Sequence, residues 1–294
     1  MPLTLLLAAG DLTAQQIRTV PDYLPGREYE LRLAMSIEDA RDDPPQKSYE
    51  TNVKLRVERK GTRGTDLDWV AGRATGRSAA ERQDPILEMV EHIFEDLHLT
   101  VNLDPDGKYA GIANEAELRA KIQEFVLLLV PQAAARIPDA AQRRQAEAAM
   151  AKLLTPEALL SAARKEIDLY FGISGLPLEL GSPLHIQSSA LNPFGELGSV
   201  EAEMQITPIE IDTVNEEAIV EFRQEFDPGK ISASGTGSGQ SLEPALAGNN
   251  LLLTDSGDFV LDLSSGRVKS VRHVRTIRQD GETVRVETTE ITLQ

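Results

Sequence analysis

Cysteine is absent from this chain, which excludes a disulfide framework, a thiolate nucleophile and a thiolate metal site. Histidine is scarce too: His92, His98, His185 and His273 are the whole supply for imidazole acid–base or ligand chemistry. Aromatic residues make up only 4% of the sequence. Positive charge is in deficit, since 30 lysines and arginines stand against 47 acids and leave a net charge of −17. That balance repels phosphate backbones and anionic membrane surfaces, so no nucleic-acid partner is expected. No apolar run approaches the roughly 20 residues of a membrane-spanning helix, and no transmembrane segment is expected. What is present is 294 residues at 41% hydrophobic, long enough to bury a large core.

The opening residues, MPLTLLLAAGDLTAQQ, hold a short apolar run from Leu3 to Ala9, small residues, then a polar start at Gln15. Residues 1–14 read as a signal-peptide remnant without its positive n-region, which makes an exported, periplasmic or extracellular protein the expectation. The competing reading is a short buried strand or helical turn. Leu7-Ala-Ala-Gly10 before Asp11 has the form of a lipoprotein processing site, but the cysteine that would carry the lipid is missing.

Strand patterns occupy 27–80: Tyr29 to Glu38, Tyr49 to Lys60 and Asp66 to Gly76, separated by turn chemistry at Asp42-Asp-Pro-Pro45 and Gly61-Thr-Arg-Gly64. Helices and a hairpin follow over 84–171. Asp84-Pro85 supplies a cap and an N1 proline for a helix striped by Ile86, Val90, Ile93 and Leu97. Asn114 with Glu117 forms a capping-box pattern before the stripe Leu118, Ile122, Phe125 and Leu129, and Pro131 is expected to end that helix. Two more helices are expected over Asp139 to Leu154 and Pro156 to Phe171. Strands return over 183–294, one of them drawn from Asp258 to Leu263, and are interrupted by a glycine- and serine-rich loop at 232–250. Residues 15–294 therefore read as a single α+β domain. Its large curved antiparallel sheet, like an incomplete barrel, carries about four helices inserted mid-chain and packed on one face.

Motifs that carry chemistry are tested and fail one by one. Asn102, Asp104, Asp106 and Gly107 match positions 1, 3, 5 and 6 of a calcium loop, but position 12 is Ala113 and the preceding segment alternates like a strand. Asp104-Pro-Asp-Gly107 is better read as a hairpin turn. His92 stands with Glu88 and Glu95 at helical spacing, on a face offset from the apolar stripe, which a solvated polar face explains. Phe171-Gly-Ile-Ser-Gly175 and Gly235-Thr-Gly-Ser-Gly239 miss the nucleophile-elbow spacing, and no phosphate loop surrounds Gly229-Lys230. No constellation joins nucleophile, base and orienter. No enzyme, no metal and no cofactor are expected.

One feature stands above background. Arg267, Lys269, Arg272, His273, Arg275, Arg278 and Arg285 crowd the last hairpin of a strongly acidic protein. They suit a partner-binding patch at Arg272, Arg275 and Arg278, or cross-strand pairing with Glu201, Glu203, Glu210, Asp212, Glu221 and Glu225. The run Phe125 to Val130 is apolar all round, which implies burial on two sides.

Leu103-Asp-Pro-Asp-Gly-Lys-Tyr-Ala-Gly-Ile-Ala-Asn114 leading into a capped helix, with the closing Gly257-Asp-Phe-Val-Leu-Asp-Leu-Ser-Ser-Gly266 hairpin, resembles exported bacterial envelope proteins of unknown function. The order of elements is also similar to the lipoprotein-carrier (LolA/LppX-like) fold. That resemblance brings no catalytic motif and implies only a fold. The leading functional expectation is a non-catalytic envelope protein holding an apolar small molecule or lipid between sheet and helices. Phe94, Phe125, Leu129, Tyr170 and Phe171 would line that site. The alternative is an assembly module that meets another envelope protein through the basic hairpin; the third is a hydrolase or metal-dependent enzyme.

Overall fold

A computed structural model of the protein describes residues 15–41, 46–76, 97–135, 137–191, 199–226 and 251–294. The expected helix from Asp84, with Phe94, His92 and its neighbouring glutamates, the 1–14 segment and the 232–250 loop lie outside those residues.

Eleven strands form one antiparallel sheet. The first half contains β2 (Glu28–Asp39), β3 (Gln46–Gly61), β4 (Gly64–Ala71), β5 (His98–Leu103) and β6 (Tyr109–Ile112). The second half contains β8 (Leu184–Leu191), β9 (Ser199–Asp212), β10 (Glu217–Phe226), β11 (Leu251–Asp262), β12 (Val268–Gln279) and β13 (Glu282–Leu293). Their order is β6-β5-β4-β3-β2-β13-β12-β11-β10-β9-β8, so the sheet is open, with β6 and β8 at its edges, and does not close into a barrel. The join between halves is β13 against β2, where Ile291 faces Leu33. A small second sheet pairs β1 (Gln16–Ile17) with β7 (Leu178–Glu179), two strands too short for any periodicity to announce.

Three helices are present among the described residues, not four: α1 (Glu115–Ala134), α2 (Ala140–Leu153) and α3 (Pro156–Phe171). The caps of α2 and α3 form as their sequences require: Asp139 accepts from the Ala141 and Gln142 amides, and Thr155 accepts from Ala158. The capping box expected at α1 does not form. Asn114 instead ties the hairpin together, its Oδ1 accepting from Thr100 N and its Nδ2 donating to the His98 carbonyl, each at 2.9 Å. Nor does Pro131 end α1, which runs on to Ala134. Proline frees one carbonyl a turn earlier, and Leu127 there is 69% exposed, so water can serve it. That exposure, with Leu128 beside it, also corrects the expected two-sided burial of the Phe125 to Val130 run: one side packs and the other is open.

The hairpin over Asp104 to Lys108 is a turn, as read. Asp104 Oδ1 accepts from the Asp106 and Lys108 amides, and Gly107 takes the positive φ of 78°. β11 begins at Leu251, seven residues before the expected start at Asp258.

One core joins both halves. Trp69, Tyr170, Phe171, Tyr23 and Tyr29 pack in edge-on and tilted pairs 5.0 to 6.3 Å apart, amid buried leucines and valines from β2 to β5 and from β9 to β13. The Tyr170 hydroxyl donates to the Val268 carbonyl at 2.8 Å, tying α3 to β12. Tyr109 donates to Asp168 at 2.6 Å, tying α3 to β6. Among the described residues no helix is long and apolar enough to cross a membrane.

Candidate functional site

Residues of alternate number along each strand share one face, and the pairing registers align them into rows across the sheet. The row over the core is apolar throughout: Val220, Phe259, Val271, Ile291 and Leu33. The next is mixed: Phe222, Gly257, His273, Thr289 and Met35. The one after it is polar through four strands: Gln224, Asp255, Arg275 and Glu287, ending at Ile37. Beyond lies a small apolar cluster of Ala202, Phe226, Leu253 and Ile277, flanked on β13 and β2 by Arg285 and Asp39. A band of polar side chains thus crosses the inner face between two apolar regions. Gln224, Asp255, His273, Arg275 and Thr289 are all at most 9% exposed.

The band is built around a carboxylate. Arg275 donates to Asp255 through Nε at 2.8 Å and Nη2 at 2.7 Å, a bidentate fork. His273 Nε2 lies 3.4 Å from Asp255 Oδ2, and its ring stacks on Phe222 at 6.0 Å between centroids, 7° from parallel. Burial alone would raise the Asp255 carboxyl; the bonds from Arg275 and His273 outweigh it and hold the group well below the usual carboxylate range. Burial likewise raises Glu287, but Lys165 of α3 at 3.4 Å, Arg285 at 2.7 Å and Arg275 reverse the shift.

At the rim Asp39 receives Arg41 through Nε at 2.9 Å and Nη2 at 2.8 Å, with Arg285 3.7 Å away. The Arg41 bonds bring its carboxyl down to about 2. Because the folded value lies below the unfolded one, Asp39 contributes stability that is complete above about pH 4 and lost as pH falls toward about 2. Urea titrations between those limits should show the wild-type unfolding midpoint falling more steeply than that of Asp39→Asn. Equal slopes would show that Asp39 does not carry this linkage.

Four buried atoms of the band and its rim have no hydrogen-bond partner: Gln224 Nε2, His273 Nδ1, Thr289 Oγ1 and Arg285 Nε. Leaving such a group unsatisfied costs about 1–3 kcal/mol each. All four lie on neighbouring rows of one sheet face.

The residues named from sequence fall elsewhere or divide. Tyr170 and Phe171 are fully buried inside the core, while Phe125 and Leu129 pack partly buried against it. Arg272, 3.5 Å from Glu290, and Arg278 are exposed. Arg275 belongs to the opposite, inner face, because residues 272 and 275 differ in parity on one strand. Several basic residues do pair with acids, but with Asp255, Glu290, Glu217, Asp262 and Asp39, none of which was named for them.

The band itself was missed, although its signal is in the sequence. Ala218, Val220, Phe222, Gln224 and Phe226 set one glutamine in an otherwise apolar phase, and Val271, His273, Arg275 and Ile277 set two polar residues in another. Among the described residues no group of three or more metal-ligating side chains could hold an ion.

A comparison with protein-family models finds no match, and a comparison with curated proteins finds none. Among solved structures, a Bacteroides fragilis protein described as exported and of YmcC-like fold aligns at 8% identity over 93% of this chain and 97% of its own, with a TM-score of 0.26. An outer membrane channel from Pseudomonas putida F1 aligns at 9% identity over 94% and 98%, with a TM-score of 0.17.

Proposed function

We propose that this chain is a non-catalytic binding protein that holds a small ligand on the inner face of its open sheet, at the polar band crossing β10 to β13. The observation that carries the reading is the set of buried, unpartnered atoms at Gln224, His273 and Thr289. In the core beneath the helices, Tyr170 and Phe171 are already in contact with one another and with the sheet. A catalytic reading has less support. His273 and Thr289 face each other across β12 and β13, yet neither His273 Nδ1 nor Thr289 Oγ1 bonds anything, so nucleophile and base are not joined. Export remains part of the proposal, on the strength of the Leu3 to Ala9 run alone.

Native mass spectrometry of the chain purified without detergent from the envelope fraction of its own host, followed by denaturing spectra, tests this directly. The expected result is an added mass that disappears on denaturation and is absent from a folded Gln224→Leu variant. A bare chain in the native state, in both proteins, would overturn the reading. A denatured mass beginning near Gln15 is expected from export; an intact Met1 would count against it.

A further inference from the structure

The outer face of the sheet, opposite the core and the polar band, carries a concave site of its own. Leu31 and Leu33 of β2 point into the core, so Arg32, Ala34 and Ser36 point outward. The registers set Glu290, Ala34, Glu50 and Thr75 in one row of this face and Thr288, Ser36 and Ser48 in the next. Small side chains at Ala34 and Ser36 form a floor, with Arg32, Glu50 and Glu290 as longer groups around it. The hollow measures about 350 Å³, at the lower end of the roughly 300–1,000 Å³ of small-molecule sites.

We propose that this hollow binds a neutral polyhydroxyl ligand the size of one sugar ring. Charge does not carry recognition here. Arg32 donates to Glu50 through Nε at 2.6 Å and Nη2 at 2.9 Å, and Arg272 lies 3.5 Å from Glu290. Each carboxylate of the rim therefore stands beside a guanidinium, and the rim favours neither an anion nor a cation. These pairs are also half-exposed, where an ionic contact is worth little.

The hydroxyls are what the floor offers. Those of Thr288, Ser36 and Ser48 stand on three adjacent strands at intervals of about 4.8 Å. None of the three bonds another described residue. Each both donates and accepts, as a sugar hydroxyl does. Both Glu50 oxygens keep a lone pair beyond the one that receives Arg32, so a carboxylate held in place by its guanidinium faces the ligand with two acceptors for neighbouring hydroxyls. Between Glu50 and Glu290, Ala34 supplies a methyl on which the C–H face of a ring can rest.

Amide shifts of the isotope-labelled full chain, titrated with D-glucose, D-galactose, sodium acetate and ethylammonium chloride, test this. At least one hexose should shift the amides of Ala34, Ser36, Ser48 and Thr288 saturably. Its Kd should be on the order of 1 mM, because each hydrogen bond in an open site replaces one to water. Ala34→Leu, which fills the floor, should abolish those shifts. Ser36→Ala, which removes one hydroxyl, should weaken the hexose about five- to tenfold. Both variants should unfold at the wild-type midpoint and keep the added native mass expected of the polar band, so the two sites stand or fall separately. Acetate or ethylammonium shifting these amides more than either hexose would overturn the neutral ligand. No saturable shift with any of the four, or hexose shifts that persist in folded Ala34→Leu, would overturn the site itself.

Discussion

Asp255→Ala should lower the unfolding free energy by about 3–5 kcal/mol, because it leaves the Arg275 guanidinium buried without its partner. The size comes from the charge left behind more than from the pair lost. Taking two ions out of water costs nearly as much as their attraction returns, so an intact buried pair is close to neutral and a broken one is not. The double variant Asp255→Ala with Arg275→Met should therefore recover much of the loss. Urea unfolding followed by circular dichroism measures both. A single-variant loss below about 1 kcal/mol, the range of exposed pairs such as Arg32 with Glu50, would show that solvent reaches the fork in solution.

Gly257→Val should cost about 3 kcal/mol or more, at the upper end of overpacking. No special dihedral is involved here. A Cβ at Gly257 would run into the backbone carbonyl of Arg272 and meet the Phe222 ring edge at 2.9 Å. The carbonyl cannot give way without breaking the β11–β12 pairing, and the ring cannot move without leaving His273. Thermal unfolding should report the loss as a lowered midpoint. A variant that melts like wild type would mean the two strands adjust freely at this point and that the notch between Phe222 and His273 is not required.

These two variants act on features of different legibility. Asp255 is conspicuous only once β11 is known to start at Leu251: followed from there, Leu253, Asp255, Gly257, Phe259 and Leu261 alternate on the inner face, and the aspartate sits in apolar phase. A strand drawn from Asp258 leaves it in a loop, where an acid excites no comment. Arg275 shows the complementary failure. It was grouped with Arg272 and Arg278 by density of charge along the chain, but a strand sends neighbours of opposite parity to opposite faces, and only Arg272 and Arg278 are exposed.

Helix ends divide in the same manner. Asp139 and Thr155 cap as their local sequence dictates, because nothing else competes for their side chains. Asn114 abandons the capping box because the β5–β6 hairpin offers it two backbone partners at once. Leu127 and Leu128 are exposed because nothing described packs on that side of α1, a matter of where other elements lie and not of the helix itself.

The sequence by itself determined the local structure: two-residue alternation made the long strands, Asp280-Gly281 and Asp104-Pro-Asp-Gly107 made the turns, and the stripes of α1 and α3 chose their buried sides. Strand order decided the rest. Only when β10 pairs with β11, β11 with β12 and β12 with β13 do Gln224, Asp255, Arg275 and Glu287, far apart along the chain, come to lie in one row. A row is a property of register between strands, and register is fixed by the burial of whole faces, which no single segment carries.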